Sequence, residues 1–134
     1  MGLFSKKVKD LETLGKIITE IETKLEKLGY PKEEKYDVVL AVDELTANAV
    51  FYTTDTNSIS IDYTLKKNGA KLKVKNKAEP FDWKQYTDPG YLKKINSDVQ
   101  IPGRGIAMVH KVIDELNYEF KKGYVIACAK YKRK

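Results

Sequence analysis

At 134 residues the chain suits one domain, over 1–134, with enough length to bury a core without disulfides or structural metal. Hydrophobic residues at 42% and charged residues at 33% give a soluble globular balance, and no apolar run approaches the roughly 18 residues a membrane span needs. One cysteine, Cys128, and one histidine, His110, exclude an internal disulfide and a thiolate or imidazole metal cage, and they fit a reducing cytoplasm. The net charge of +6 admits an anionic partner such as a nucleotide, a nucleic acid or an acidic protein face. Lysines such as Lys24, Lys27, Lys66, Lys67, Lys93 and Lys94 are scattered, however, and read more simply as a solvated surface.

In chain order, Leu11, Leu14, Ile17, Ile18, Ile21, Leu25 and Leu28 recur at three- and four-residue spacing, the stripe of an amphipathic helix that Gly29 is placed to end. Pro31 suits the start of a second helix, with Glu33 and Glu34 near its positive end, running to about Thr53. Its middle, Val38-Val39-Leu40-Ala41-Val42, is apolar nearly all round, so this helix should be central. Ile59, Ile61, Tyr63 and Leu65 alternate with polar residues as a half-buried strand. Lys67-Asn68-Gly69-Ala70 is a hairpin turn, and Leu72 and Val74 mark the returning strand. Residues 78–102 sustain no period and carry Pro80, Pro89, Gly90 and Pro102 among Trp83, Tyr86 and Tyr91, which suggests a functional loop. Gly103-Arg104-Gly105 opens a third helix with Ile106, Val109, Val112, Ile113 and Leu116 on its buried side. Asn117 to Phe120 and Tyr124 to Tyr131 form a last hairpin across Lys122-Gly123, and Cys128 in its apolar run reads as a small core residue. The expected class is α+β: a two-layer sandwich whose mostly antiparallel sheet is covered on one face by helices.

Two constellations carry possible chemistry. Glu44 and Asn48 lie four residues apart on one face of the buried helix, with Tyr52 a turn further on. A carboxylate and an amide in an otherwise apolar helix either pair with neighbouring loops or serve a ligand. In the second case Asn48 offers its carbonyl to Mg²⁺, and Glu44 takes a proton from an attacking hydroxyl or water. The other constellation is Pro102-Gly103-Arg104-Gly105-Ile106. Glycines before a helix let the backbone approach an anion at the free first-turn N–H groups, and Arg104 adds a fixed positive charge, although a plain loop-to-helix turn has the same pattern.

Together these segments resemble the GHKL (histidine-kinase-like) ATPases, and within them the short anti-sigma-factor serine-protein kinases. Val39-Leu40-Ala41-Val42-Asp43-Glu44-Leu45-Thr46-Ala47-Asn48-Ala49 resembles the family's Glu-x-x-x-Asn box. Gly103-Arg104-Gly105-Ile106-Ala107-Met108-Val109, followed by Ile113-Asp114-Glu115-Leu116-Asn117-Tyr118, resembles its glycine box. The resemblance runs from about Leu11 to Lys130. It implies the histidine-kinase-like ATPase fold, ATP and Mg²⁺ as cofactors, and residues 78–102 as the ATP lid. By the same resemblance Asn48 holds the metal, Glu44 is the general base and the turn Gly103, Arg104, Gly105 cradles the triphosphate. The implied partners are a sigma factor and an anti-sigma antagonist phosphorylated on serine, with homodimers common among relatives.

The chain departs from the pattern where the family's Asp-x-Gly holds adenine. Here Asn76 stands for the Asp and Ala78 for the Gly, in Asn76-Lys77-Ala78-Glu79-Pro80-Phe81-Asp82, and Tyr52 stands where a histidine is frequent. The Asn76 carbonyl can still accept the adenine bond, but a neutral acceptor gives about 1 kcal/mol where a charged one gives about 1.5–3. Two readings follow: an ATP-dependent kinase regulating transcription by partner switching, and a non-catalytic relative that grips a partner without nucleotide. Intact Glu44, Asn48, Gly103 and Gly105 favour the first; Asn76 and Ala78 favour the second. A nucleic-acid module would rest only on charge and tyrosines and lacks a binding motif, so neither nucleic acid nor membrane is the expected partner.

Overall fold

The computed structural model describes residues 4–88 and 102–134. The order is β1 (Phe4–Lys7), α1 (Leu11–Lys27), α2 (Lys32–Tyr52), β2 (Asp55–Lys66), β3 (Gly69–Lys77), a 3₁₀ turn (Lys84–Thr87), α3 (Pro102–Val112), β4 (Glu115–Lys121) and β5 (Tyr124–Lys132). Five antiparallel strands form one sheet in the order β1-β2-β3-β5-β4. Ile59, Ile61, Tyr63 and Leu65 of β2, Leu72 and Val74 of β3 and Val125, Ala127 and Ala129 of β5 are buried on the face that meets the helices. The open α+β sandwich expected from the alternating segments is therefore the fold.

Local chemistry sets the helix ends. Asp10 caps α1, its carboxylate accepting the Thr13 N–H at 2.7 Å. At the other end the Gly29 N–H bonds the Glu26 carbonyl and the Tyr30 N–H bonds that of Leu25, a Schellman closure that requires the left-handed φ of +84° at Gly29. In α2, Val38, Ala41, Val42, Leu45 and Thr46 are almost wholly buried, which makes it the central helix.

Three expectations need correction. Leu116 is not on α3 but in β4, and Ile113 follows the helix end, because α3 stops at Val112 and the Asp114 N–H is captured by the Lys130 carbonyl at 3.0 Å, which starts sheet pairing. Cys128 is only half-buried. With Ala127 and Ala129 facing the helices, strand alternation turns it to the open face of the sheet. The short β1 was not expected at all; it pairs with β2 from Phe4 opposite Tyr63 to Lys7 opposite Ser60. Of the expected loop 78–102, the part from 89 to 101, including Pro89, Gly90 and Tyr91, lies outside the described residues.

Candidate functional site

The two constellations meet where α2, α3 and the inner face of the sheet converge. The four-residue spacing on α2 turns Glu44 and Asn48 to one side. Asn48 is 5% exposed, and its Nδ2 donates to the buried Tyr118 hydroxyl of β4 at 3.3 Å. Its Oδ1 is buried and finds no hydrogen-bond partner among the described residues. An amide oxygen left without a partner inside a protein costs about 1–3 kcal/mol, so it marks a place that a ligand or water completes. Sequence reasoning assigned no role to Tyr118; an intramolecular partner 70 residues away leaves no local signal.

Glu44 is half-buried and touches α3. A Cβ added at Gly105 would stand 2.6 Å from Glu44 Oε2, so the Glu44 carboxylate keeps this position only because residue 105 has no side chain. Burial, and secondarily the neighbouring Asp43 charge, push the Glu44 carboxyl above its ordinary value, while the positive charge of Arg104 pulls it down. A carboxylate tuned upward beside a cation is suited to accept a proton. Gly103, Arg104 and Gly105 occupy the first turn of α3, where backbone N–H groups lack intrahelical partners. The structure thus brings Glu44, Asn48, Arg104 and Gly105 together.

Asn76 and Ala78 lie at the far end of β3, both on the inner face and both buried. The Asn76 Nδ2 lies 3.5 Å from the carbonyls of Ala49 and of Lys77, long contacts that turn the amide nitrogen toward the last turns of α2. The Ala78 N–H donates to the Gly123 carbonyl at 3.2 Å. Beside them stands an aromatic wall: Phe81 stacks on Tyr52 with centroids 4.5 Å apart and meets Tyr118 edge-on at 5.3 Å, and Trp83 packs on Tyr118 at 5.4 Å. Phe81 and Trp83 are therefore held against α2 and β4 by ring contacts.

The residues fit a nucleotide with Mg²⁺. Among the described residues no three His, Cys, Asp or Glu side chains gather as a metal cage. A Mg²⁺ here would take Asn48 Oδ1 and complete its shell with phosphate and water oxygens, as that ion commonly does.

The fold and this arrangement define a histidine-kinase-like ATPase module. The family model for the histidine kinase-like ATPase domain matches residues 8–129, and the chain belongs to that family. Among curated proteins no sequence matches. Solved structures share the fold at low identity. The RsbU and RsbW domains of Rv1364c from Mycobacterium tuberculosis align at 14% identity and TM-score 0.69 over 99% of this chain, which spans only 33% of that one. The SiaB-SiaC complex from Pseudomonas aeruginosa gives 15% identity and TM-score 0.73, covering 97% of this chain and 88% of the other. The catalytic domain of histidine kinase ThkA gives 15% identity and TM-score 0.58 over 99% of both chains. Among the described residues no helix is long and apolar enough to cross a membrane.

Proposed function

We propose that this chain binds ATP with Mg²⁺ and acts as a serine-protein kinase of the partner-switching kind, holding a sigma factor and phosphorylating the antagonist that would displace it. One observation carries the reading: the buried, partnerless Oδ1 of Asn48 lies one helical turn from a Glu44 carboxylate lodged against Gly105. In this reading Asn48 ligates Mg²⁺, which neutralises phosphate charge when bound. The first turn of α3 at Gly103, Arg104 and Gly105 receives the phosphates, and Asn76 and Ala78 border the base. Glu44 accepts the proton of the attacking hydroxyl. Likeness to RsbW and to SiaB, solved with SiaC, supports an antagonist protein as partner; homodimerisation rests on the family resemblance alone.

A second reading, a partner-binding relative without nucleotide, is favoured by Asn76, Ala78 and the Tyr52–Phe81 stack beside them. Calorimetric titration with MgADP and MgATP separates the two. Micromolar binding supports the nucleotide site, and none up to millimolar nucleotide supports the scaffold. Glu44→Ala should keep nucleotide affinity within about threefold while removing phosphoryl transfer; equal transfer by both proteins would refute the role of Glu44.

A further inference from the structure

The helices cover one face of the sheet, and the other face carries its own pattern. Every second residue of β3 on that side is an exposed lysine: Lys71, Lys73, Lys75 and Lys77. At strand geometry they stand about 6.6–6.8 Å apart, a row about 20 Å long on the middle strand of five. Lys130 of β5 lies directly opposite Lys71 and widens the row. Like charges held side by side in a sheet repel, and the nearby carboxylates relieve this in part. Glu115 pairs with Lys130 at 3.7 Å and Glu119 with Lys121 at 3.8 Å, both from β4, leaving Asp62 of β2 as the carboxylate directly opposite a lysine of the row, Lys73. The face also bears a trough of about 680 Å³ beside the row, lined by Lys71, Lys73 and Lys130 together with Asp62, Glu115 and Glu119, so the uncompensated charge lies along the row itself toward Lys75 and Lys77.

We propose that this outer face is a docking surface for an acidic segment of a protein partner, lying along β3 with carboxylates against Lys71, Lys73, Lys75 and Lys77. Three observations favour a protein segment over a polyanion. The ring of Tyr124, the aromatic beside the row, is already covered by Lys75 Nζ at 4.4 Å and Lys77 Nζ at 5.8 Å, so it offers no platform for a base. Neither arginine of the chain lies on this face: Arg104 is on α3 and Arg133 holds the carbonyls of Leu28 and Lys67, so no bidentate phosphate fork is available. Asp62, Glu115 and Glu119 interrupt the positive charge to either side, so the row is narrow, the width of one extended peptide and not of a duplex or a lipid headgroup layer. An extended segment with a carboxylate at every second residue matches the lysine spacing.

The proposal is independent of the nucleotide site, and its test needs no nucleotide. A fluorescein-labelled peptide of about twelve residues, alternating glutamate and serine, is titrated with the full chain at about 25 and about 150 mM NaCl. Binding that weakens with salt is expected. It should fall about tenfold or more in Lys71→Glu/Lys73→Glu/Lys75→Glu/Lys77→Glu, and stay within about twofold in the charge-matched control Lys27→Glu/Lys32→Glu/Lys67→Glu/Lys111→Glu. Should circular dichroism show that charge reversal unfolds the protein, Lys73→Gln/Lys75→Gln is read instead, with a loss of about threefold expected. No peptide binding at low salt, or equal losses in the row and control variants, overturns the proposal. So does displacement of the peptide by an equimolar oligothymidylate, which would make the face a nucleic-acid site, or preferential capture by phosphatidylserine vesicles, which would make it a membrane site.

Discussion

Asn48 and Tyr118 form a buried polar pair that supports the protein less well than an apolar pair would. The amide gains one hydrogen bond, at 3.3 Å, long enough to sit at the lower end of the usual 0.5–1.5 kcal/mol. Against it stands the unsatisfied Oδ1, worth about 1–3 kcal/mol in the other direction. Replacing both groups by shapes without polar atoms, Asn48→Leu/Tyr118→Phe, removes the bond and the orphan together. The net expectation is a gain of about 1 kcal/mol, or about 3–5 °C in Tm for a chain of this size. Each single variant should be less stable than the double, because each leaves one buried polar partner alone, so the cycle gives a coupling of about 1 kcal/mol. Urea titration with m-values, repeated by thermal melting, measures it. Binding of MgADP should be lost in the double variant. A double variant more than about 1 kcal/mol less stable than the parent would refute the reasoning: Asn48 would then be a structural residue whose oxygen is satisfied in solution.

Other outcomes test the remaining parts. Gly105→Ala places a methyl 2.6 Å from Glu44 Oε2. The helix gains up to about 1 kcal/mol in propensity and loses a similar amount in moving the carboxylate, so Tm should change little while phosphoryl transfer falls about a hundredfold. Asn76 can accept from an adenine amino group or turn its amide to donate to a guanine oxygen, so MgADP and MgGDP should bind within about tenfold of each other by calorimetry, and Asn76→Asp should sharpen the preference for ADP. Glu34 accepts the Lys134 N–H and the Tyr131 hydroxyl beside Arg133, contacts that hold its carboxyl below the ordinary 4.5. Its stabilisation is therefore present above that value and lost as pH falls through the lower folded value, so Glu34→Gln should shift the urea midpoint at about pH 7 and much less at about pH 3.

Much of this was legible because the two periodicities do not overlap. The three- and four-residue recurrences from Leu11 to Leu28 and the alternation from Ile59 to Leu65 each allow one element. Glu44 and Asn48 stood out because they sit four residues apart on one face, just after the apolar run Val38 to Val42. The strand β1 escaped because four residues carrying Lys6 and Lys7 show no alternation; it is held by tertiary contacts, with Lys24 Nζ 3.2 Å above the Phe4 ring. Cys128 was read as core because Val125 to Ala129 is apolar throughout, and only the uncovered second face of the sheet separates Cys128 from its neighbours. The lysine row was present in Lys71-Leu72-Lys73-Val74-Lys75-Asn76-Lys77, but charges two residues apart do not form a run, and they become a cluster only once the strand puts them on one face.

The two ends of the site differ in how well they are satisfied, and the difference bears on which reading of function holds. At the phosphate end three local rules are broken within one small volume. A glycine stands in the first turn of a helix at a cost of up to about 1 kcal/mol relative to alanine, an amide oxygen is buried without a partner among the described residues, and a carboxylate is desolvated beside Asp43. A scaffold that only grips a protein gains nothing from any of them, and single substitutions would relieve each. At the base end the groups are at rest: Asn76 bonds the Ala49 and Lys77 carbonyls, Ala78 is buried with its N–H on Gly123, and the Phe81 ring is stacked. Under the proposed nucleotide reading this distribution suits a site that grips phosphates more firmly than the base, with relaxed base choice as the consequence of Asn76, whereas the scaffold reading expects no nucleotide binding at all.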